Sequence, residues 1–384
     1  MGTRVGSKLP PTMSTLALVG SKLPPTTKAR AVVGSKLPPT MKARAVVGSK
    51  LPPTMKARAM VGSKLPPTIS APMQRQRGFS LVELMISLVI GIILVYGAVR
   101  LLVDSRNTQR ASESSASVQE IATYALAVLE PDVRLASYWG KTNRADLVGG
   151  ATASTSSRSA LDTVVVGNCG VNFTVDLAQY LQATDAAYGL TCAAQSFVAG
   201  TDVLVVRHAT AEVTALAAGV LQLQSGPLRG QLMADGVRPT GYGVPPATYT
   251  HDVEVNAYYV GALANNVDGQ PQWALRRKRL TSAGGAPTIV DEEVVRGVQD
   301  LQVELGFDTT SDGSADVYVN PGSEPATGLL VSVRLSLLVV SEERDQGHAD
   351  STAYTLANHT HAAYNDARHR RVVVKTLSLR NPPV

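Results

Sequence analysis

The first 78 residues of this 384-residue chain contain no aspartate or glutamate, yet they hold fourteen of its 36 lysines and arginines. From Phe79 onward 22 basic residues stand against 30 acidic ones, so that part carries a formal charge of −8 while the whole chain stands at +6. The basic average is an N-terminal effect and gives no ground for polyanion binding by the remainder. Cysteine is scarce as well. Cys169 and Cys192 are the only two, enough for one clip but not for a disulfide scaffold. No nucleophile elbow, phosphate loop or zinc-protease helix is present, and the chain is not read as an enzyme.

What is there begins with a repeat. Val-Gly-Ser-Lys-Leu-Pro-Pro-Thr recurs at 5–12, 19–26, 33–40, 47–54 and 61–68, a period of fourteen residues. Each unit carries Pro-Pro and few large apolar side chains, so stacked copies have no face to bury. Residues 1–72 read as a disordered tandem repeat, with two readings open: a misassigned start, which makes Met73 the initiator, or a cytoplasmic extension. At Met73 the character changes. A short basic stretch, Met73-Gln-Arg-Gln-Arg-Gly78, precedes 21 apolar residues from Phe79 to Val99 whose one charge is Glu83. At 1.5 Å per residue this run covers a hydrocarbon layer of ~30 Å. Arg75 and Arg77 flank its N-terminal side, which puts the leader in the cytoplasm and the bulk of the chain across the membrane. No small-residue cleavage site follows the run, against a secretory signal. Outside the cytoplasm Cys169 and Cys192 read as one disulfide, worth roughly 3 kcal/mol in the chain-entropy model; two buried free thiols are the other reading.

Beyond Arg100 the pattern stays helical but turns polar, with one apolar stripe at Val118, Ile121, Ala125 and Val128. That half is expected to lie on a sheet, and Pro131 to kink or end the helix. Residues 140–160, rich in Gly, Ala, Ser and Thr, read as a surface loop. Short β-branched runs follow, with candidate strands at 161–166, 202–207, 253–260, 273–280, 301–307, 329–340 and 371–379. Alternation such as Val331-Ser-Val-Arg-Leu-Ser-Leu337 implies one buried and one wet face, as in an antiparallel sheet covered on one side. The fold class is α+β: a long N-terminal helix, membrane-embedded in its first half, packed on an antiparallel β-sheet. The parts are the repeat (1–72), a leader (73–78), a transmembrane helix (79–103), its amphipathic continuation (104–139) and a β-rich globular domain (140–384).

The stretch Arg77-Gly78-Phe79-Ser80-Leu81-Val82-Glu83-Leu84 resembles the class III signal of type IV prepilins. The resemblance implies that a prepilin peptidase cuts after Gly78 and methylates Phe79 as the new N-terminus, and that Glu83 acts in assembly. A carboxylate in an apolar span costs roughly 2.5–3.5 kcal/mol on insertion scales, so it needs a partner. In a packed filament that partner would be the free α-amine of a neighbouring subunit, which exists only after cleavage. A signal anchor that happens to carry one Glu explains the apolar length but not the junction, the short basic leader and the Glu placement together. Major pilins commonly have a Pro near the end of the membrane segment; here Tyr96-Gly97-Ala98-Val99-Arg100 stands there, and Gly91 and Gly97 are the residues that could loosen the helix.

Three downstream stretches look like the minor pilins of the PilW family: Leu129-Glu-Pro-Asp-Val-Arg134-Leu-Ala-Ser-Tyr-Trp-Gly140, Gly297-Val-Gln-Asp-Leu-Gln-Val-Glu-Leu-Gly-Phe-Asp308, and Arg370-Arg371-Val-Val-Val-Lys-Thr-Leu-Ser-Leu-Arg380-Asn381. The resemblance implies a pilin-like lollipop that primes or caps a type IV pilus. Its implied partners are other minor pilins, the major pilin, a tip adhesin and the membrane. The implied location is the inner membrane, spanned once with a periplasmic C-terminal domain, and then the fibre or its tip. A tip pseudopilin of type II secretion shares the same anatomy, and a DNA-binding pilin is the reading from another class.

Weaker signals remain. Asp308, Thr310, Asp312 and Asp316, with Gly313 among them, have the spacing by which a turning loop wraps Ca²⁺; Val319 stands where an EF-hand supplies its Glu, and an Asp-Gly turn between strands is the commoner meaning. No cofactor is required. Arg276-Arg277-Lys278-Arg279 and Arg368-His369-Arg370-Arg371 are basic clusters without aromatic interleaving, read as solvated edge charges, so nucleic acid is not expected as a partner. His359 and His361 form a His-x-His with no associated acidic or cysteine motif, and a metal is not read there.

Overall fold

The computed structural model describes residues 78–142, 144–150, 169–170, 172–267 and 269–382; the repeat, residues 73–77 and the expected strand at 161–166 lie outside the described residues. The described chain opens with α1 (Leu81–Leu135), 55 residues in one helix, which at 1.5 Å per residue is roughly 80 Å long. Its two halves differ in chemistry. From Leu81 to Val103 the large apolar side chains are exposed, and they cover every side of the helix, a pattern suited to apolar surroundings. This half is long and apolar enough to cross a membrane.

In the second half Ser114, Val118, Ala122, Ala125, Leu126, Leu129, Asp132 and Val133 are buried. Their steps of three and four residues form the expected stripe, with Ile121 and Val128 packed at its margins. This face rests on strands of both large sheets. The helix runs unbroken through Gly91 and Gly97, and Pro131 does not end it. Proline forfeits one backbone bond, and the burial of Leu129, Asp132 and Val133 around it offsets that loss. The turn comes at Ser137, whose φ of 65° reverses the chain while its N–H donates to the Arg207 carbonyl.

Eight strands follow in one sheet: β1 (Val148–Gly149), β2 (Leu181–Thr184), β3 (Val203–Ala209), β4 (Ala218–Ser225), β5 (Gly230–Asp235), β6 (Tyr249–Val267), β7 (Gln270–Ala283) and β8 (Ala286–Arg296). They run in the order β1-β5-β4-β6-β3-β2, with β7 added on β6 and β8 on β7. Gly284 and Gly285, both at positive φ, close the β7–β8 hairpin as a two-residue turn of the kind that matches strand twist. A second sheet takes β9 (Val298–Asp308), β10 (Val317–Val319) and β11 (Leu329–Val340). After a small hairpin of β12 (Tyr354–Leu356) and β13 (His359–His361), β14 (Arg370–Ser378) completes the order β10-β9-β11-β14.

One antiparallel sheet was the expectation, and the β-structure is divided instead. Among the described residues every strand pair is antiparallel except β1 with β5. The chain changes sheet at Gly297, which sits at φ 83° between β8 and β9. A Cβ there would lie 2.8 Å from the Val340 carbonyl oxygen and 2.9 Å from Ile121 of α1. Only glycine suits both the conformation and the close approach, so the sheet switch happens directly beneath the helix.

Candidate functional site

The exposed half of α1 is the first part of the site. Gly78, Phe79 and Ser80 precede the helix in irregular conformation, so the Gly78–Phe79 bond lies outside the regular backbone and Phe79 is largely exposed. Glu83 follows in the first turn. Its main-chain carbonyl accepts from the Ser87 hydroxyl at 2.7 Å, but among the described residues its carboxylate has no ion-pair partner.

The second part is the junction that fixes α1 to the β-domain. Asp132 enters the core from the helix, and its Oδ2 accepts from Asn256 Nδ2 and from the Tyr258 hydroxyl, both at 2.6 Å. Its other oxygen lies 3.5 Å from Nε2 of the buried His208, which is also 3.6 Å from a Glu254 oxygen. Nδ1 of His208 stands 2.9 Å from the Ala209 carbonyl, so both ring nitrogens face acceptors, the surroundings of an imidazolium. Burial pushes the His208 pKa down, and the Asp132 carboxylate outweighs it, so the net shift is upward. For Asp132 burial pushes up, but His208, Tyr258 and Asn256 hold the net pKa below the usual carboxylate value. At the surface Glu130 pairs with both Arg134 and Lys375, and the Arg380 N–H donates to the Arg134 carbonyl. The stretches 129–140 and 370–381, far apart in sequence, thus meet at one seam.

Cys169 and Cys192 are joined by a disulfide, the pairing expected. The Asp308 loop is brought together too, with its carboxylates bonded to the loop's own N–H and hydroxyl groups; Asp308 is buried, Asp312 and Asp316 exposed. Asp308 accepts from the backbone N–H groups of Thr310, Ser311, Asp312 and Gly313. Asp316 accepts from the N–H and hydroxyl of both Thr309 and Thr310, and Asp312 from the Ser314 N–H. Oxygens committed in this way close a turn between β9 and β10. Adding millimolar Ca²⁺, or chelating it, is expected to leave the thermal unfolding of the protein unchanged in a calorimetric scan; a rise with calcium, lost on Asp308→Asn, would assign the ion to this loop.

The basic clusters differ from their reading as solvated edge charges. On β7, Arg276 and Lys278 pair with Asp291 at 2.9 and 2.8 Å, and Arg277 and Arg279 with Glu292, all across the hairpin to β8. Arg370 is buried between Asp350 and Asp366 and stacks on Tyr364, and Arg368 is buried as well. On β7 and at Arg370 the positive charge is paired in place, whereas Arg371 is exposed and donates to the Gln119 amide oxygen. The His-x-His also differs: Asp300, distant in sequence, supplies the acidic partner that the local motif lacks. Asp132 and His208 carried no local signal beyond the proline beside Asp132.

Comparison with known proteins agrees with this anatomy. Residues 73–98 match the prokaryotic N-terminal methylation motif, and residues 257–381 match PilW, described as type IV pilus-assembly protein W. No curated protein sequence matches the chain. Among solved structures, a type IV-like pilin, TTHA1219 from Thermus thermophilus, aligns at 18% identity over 44% of this chain and 86% of that one, with a TM-score of 0.20; a likeness at that score says nothing further about the fold. A methylation signal at the head of a transmembrane-capable helix and a PilW match over β6 to β14 together make this chain similar to the PilW-family type IV pilins.

Proposed function

We propose that the chain is a minor pilin that primes or caps a type IV pilus after prepilin peptidase cuts the Gly78–Phe79 bond. The observation that carries this reading is the bare first half of α1: apolar on all sides, with one carboxylate, unpaired among the described residues, a single helical turn from the cleavage point. A bilayer satisfies the apolar surface but not Glu83, whereas neighbouring pilin helices with freed α-amines satisfy both. Before assembly the protein spans the inner membrane once, with its β-domain on the periplasmic side; afterwards the domain stands on the fibre. Its partners are the major pilin, other minor pilins and, at the tip, an adhesin.

A family match to pilus assembly favours a pilus over a secretion pseudopilus. The DNA-capturing reading loses its support, because the arginines and lysine of β7 face their own acidic strand. Immunogold labelling of a tag on the β-domain is expected to mark fibre ends at few copies per fibre, with the subunit far below the major pilin in sheared material. Uniform labelling along the shaft would overturn the capping role.

A further inference from the structure

We propose that Asp300, His359 and His361 form a binding site for a divalent transition metal, with zinc the best chemical match. The three residues meet only through the fold. His359 and His361 are alternate residues of β13, so both imidazoles stand on one face of that strand, and that face is laid against Asp300 on β9. His359 Nδ1 lies 2.8 Å and His361 Nε2 2.7 Å from the same oxygen, Asp300 Oδ2, and all three candidate ligand atoms fall within 4.8 Å of one another.

Charge and donor type point the same way. The Asp300 side chain is fully buried, and its ion-pair partners among the described residues are these two imidazoles. A buried carboxylate with no arginine or lysine is costly unless a cation compensates it. Two nitrogens and one carboxylate oxygen suit zinc and its neighbours, not calcium or magnesium, which prefer all-oxygen shells. Bonds of about 2.0–2.2 Å require the donors to separate by roughly half an ångström from their present hydrogen-bonded spacing, a side-chain adjustment that the partly exposed His359 can make.

Outer contacts of the kind that orient metal ligands are already in place. The Tyr364 hydroxyl is 2.8 Å from His361 Nδ1, the nitrogen that carries the proton once Nε2 holds a metal. Gln302 Nε2 donates to the other Asp300 oxygen at 2.9 Å and also to the Gly200 carbonyl. Gly200 itself leaves room for the ring, since a Cβ there would lie 3.0 Å from His359. His359 is 30% exposed along its side chain and His361 15%, so an ion can enter and a water can take the remaining position. Bound metal would staple the β12–β13 hairpin to the start of β9.

The test uses the full-length protein in detergent, stripped with EDTA and titrated with Zn²⁺, with bound metal counted by mass spectrometry and coordination read from Co²⁺ visible absorption. One ion per chain is expected, and it is expected to be lost in His359→Ala with His361→Ala, which leaves Asp300 as the one proposed ligand, while His369→Ala, which alters another imidazole–carboxylate pair, leaves binding unchanged. Should the double variant misfold, the wild type decides by itself: zinc is expected to shield His359 and His361, but not the other four histidines, from diethylpyrocarbonate. No zinc bound at micromolar concentration, or equal modification of all six histidines with and without zinc, would overturn the site.

Discussion

Replacing Glu83 by valine is expected to give a protein that is inserted, cut after Gly78 and then missing from sheared fibres. The substitution removes a carboxylate whose insertion costs roughly 2.5–3.5 kcal/mol, so the variant helix is a better membrane segment than the native one. Loss from the fibre therefore cannot be attributed to failed insertion. What the variant lacks is the drive to leave the bilayer, because valine is as well placed among lipids as among helices. Native Glu83 has no ion-pair partner among the described residues, and a site in the fibre opposite a neighbour's freed amine would relieve it. A difference of that size corresponds to about a hundredfold in the partition between membrane and fibre. Quantitative immunoblotting of sheared fibres against membranes reads that ratio, and Glu83→Asp, which keeps the charge on a shorter stem, should restore part of it. Wild-type amounts of the valine variant in fibres would show that assembly does not use this carboxylate.

A comparable loss, in stability rather than assembly, is expected from Asp132→Ala. The change strips Asn256 and Tyr258 of their shared acceptor and leaves His208 buried without its principal counter-charge. Breaking a buried pair from one side costs about 3–5 kcal/mol, which lowers the melting temperature of a domain this size by roughly 10 °C. The pH profile separates this from a simple packing defect. The His208 pKa is raised on folding, so its contribution is complete below its ordinary value near 6.5 and is lost as pH rises through the higher folded value. The Asp132 pKa is lowered, so its contribution is complete above its ordinary value and is lost as pH falls through the lower folded value. The pair stabilises the junction most between roughly pH 4 and 6.5. Denaturant titrations of wild type minus variant isolate it from Asp202, whose burial pushes its pKa up to about 6. A difference that stays flat with pH would contradict the charged pairing.

Local pattern carried much of the fold. The apolar run from Phe79, the stripe after Val118 and the strand at 329–340 were legible because each depends on neighbours one to four residues away. The strands that escaped did so for physical reasons. In β4, Gln222 and Gln224 break an apolar reading, yet both are buried, satisfied by Asp252, Thr248 and Thr250 from the neighbouring strand and the chain leading into it. In β8, Pro287 and the acidic run 291–293 look like loop until the arginines and lysine of β7 lie opposite. Long-range pairs were out of reach for the same reason. Asp132 with His208, and Asp300 with His359 and His361, are set by strand order and register, which no periodicity within one segment encodes.

Processing is the claim on which the rest depends, because only cleavage creates the amine that Glu83 is proposed to meet. The direct measurement is the N-terminus of the protein, determined by mass spectrometry from cells with and without prepilin peptidase. With the enzyme, the first residue should be methylated Phe79; without it, the chain should retain Gly78 and the basic residues before it. An intact leader in both strains would contradict the account.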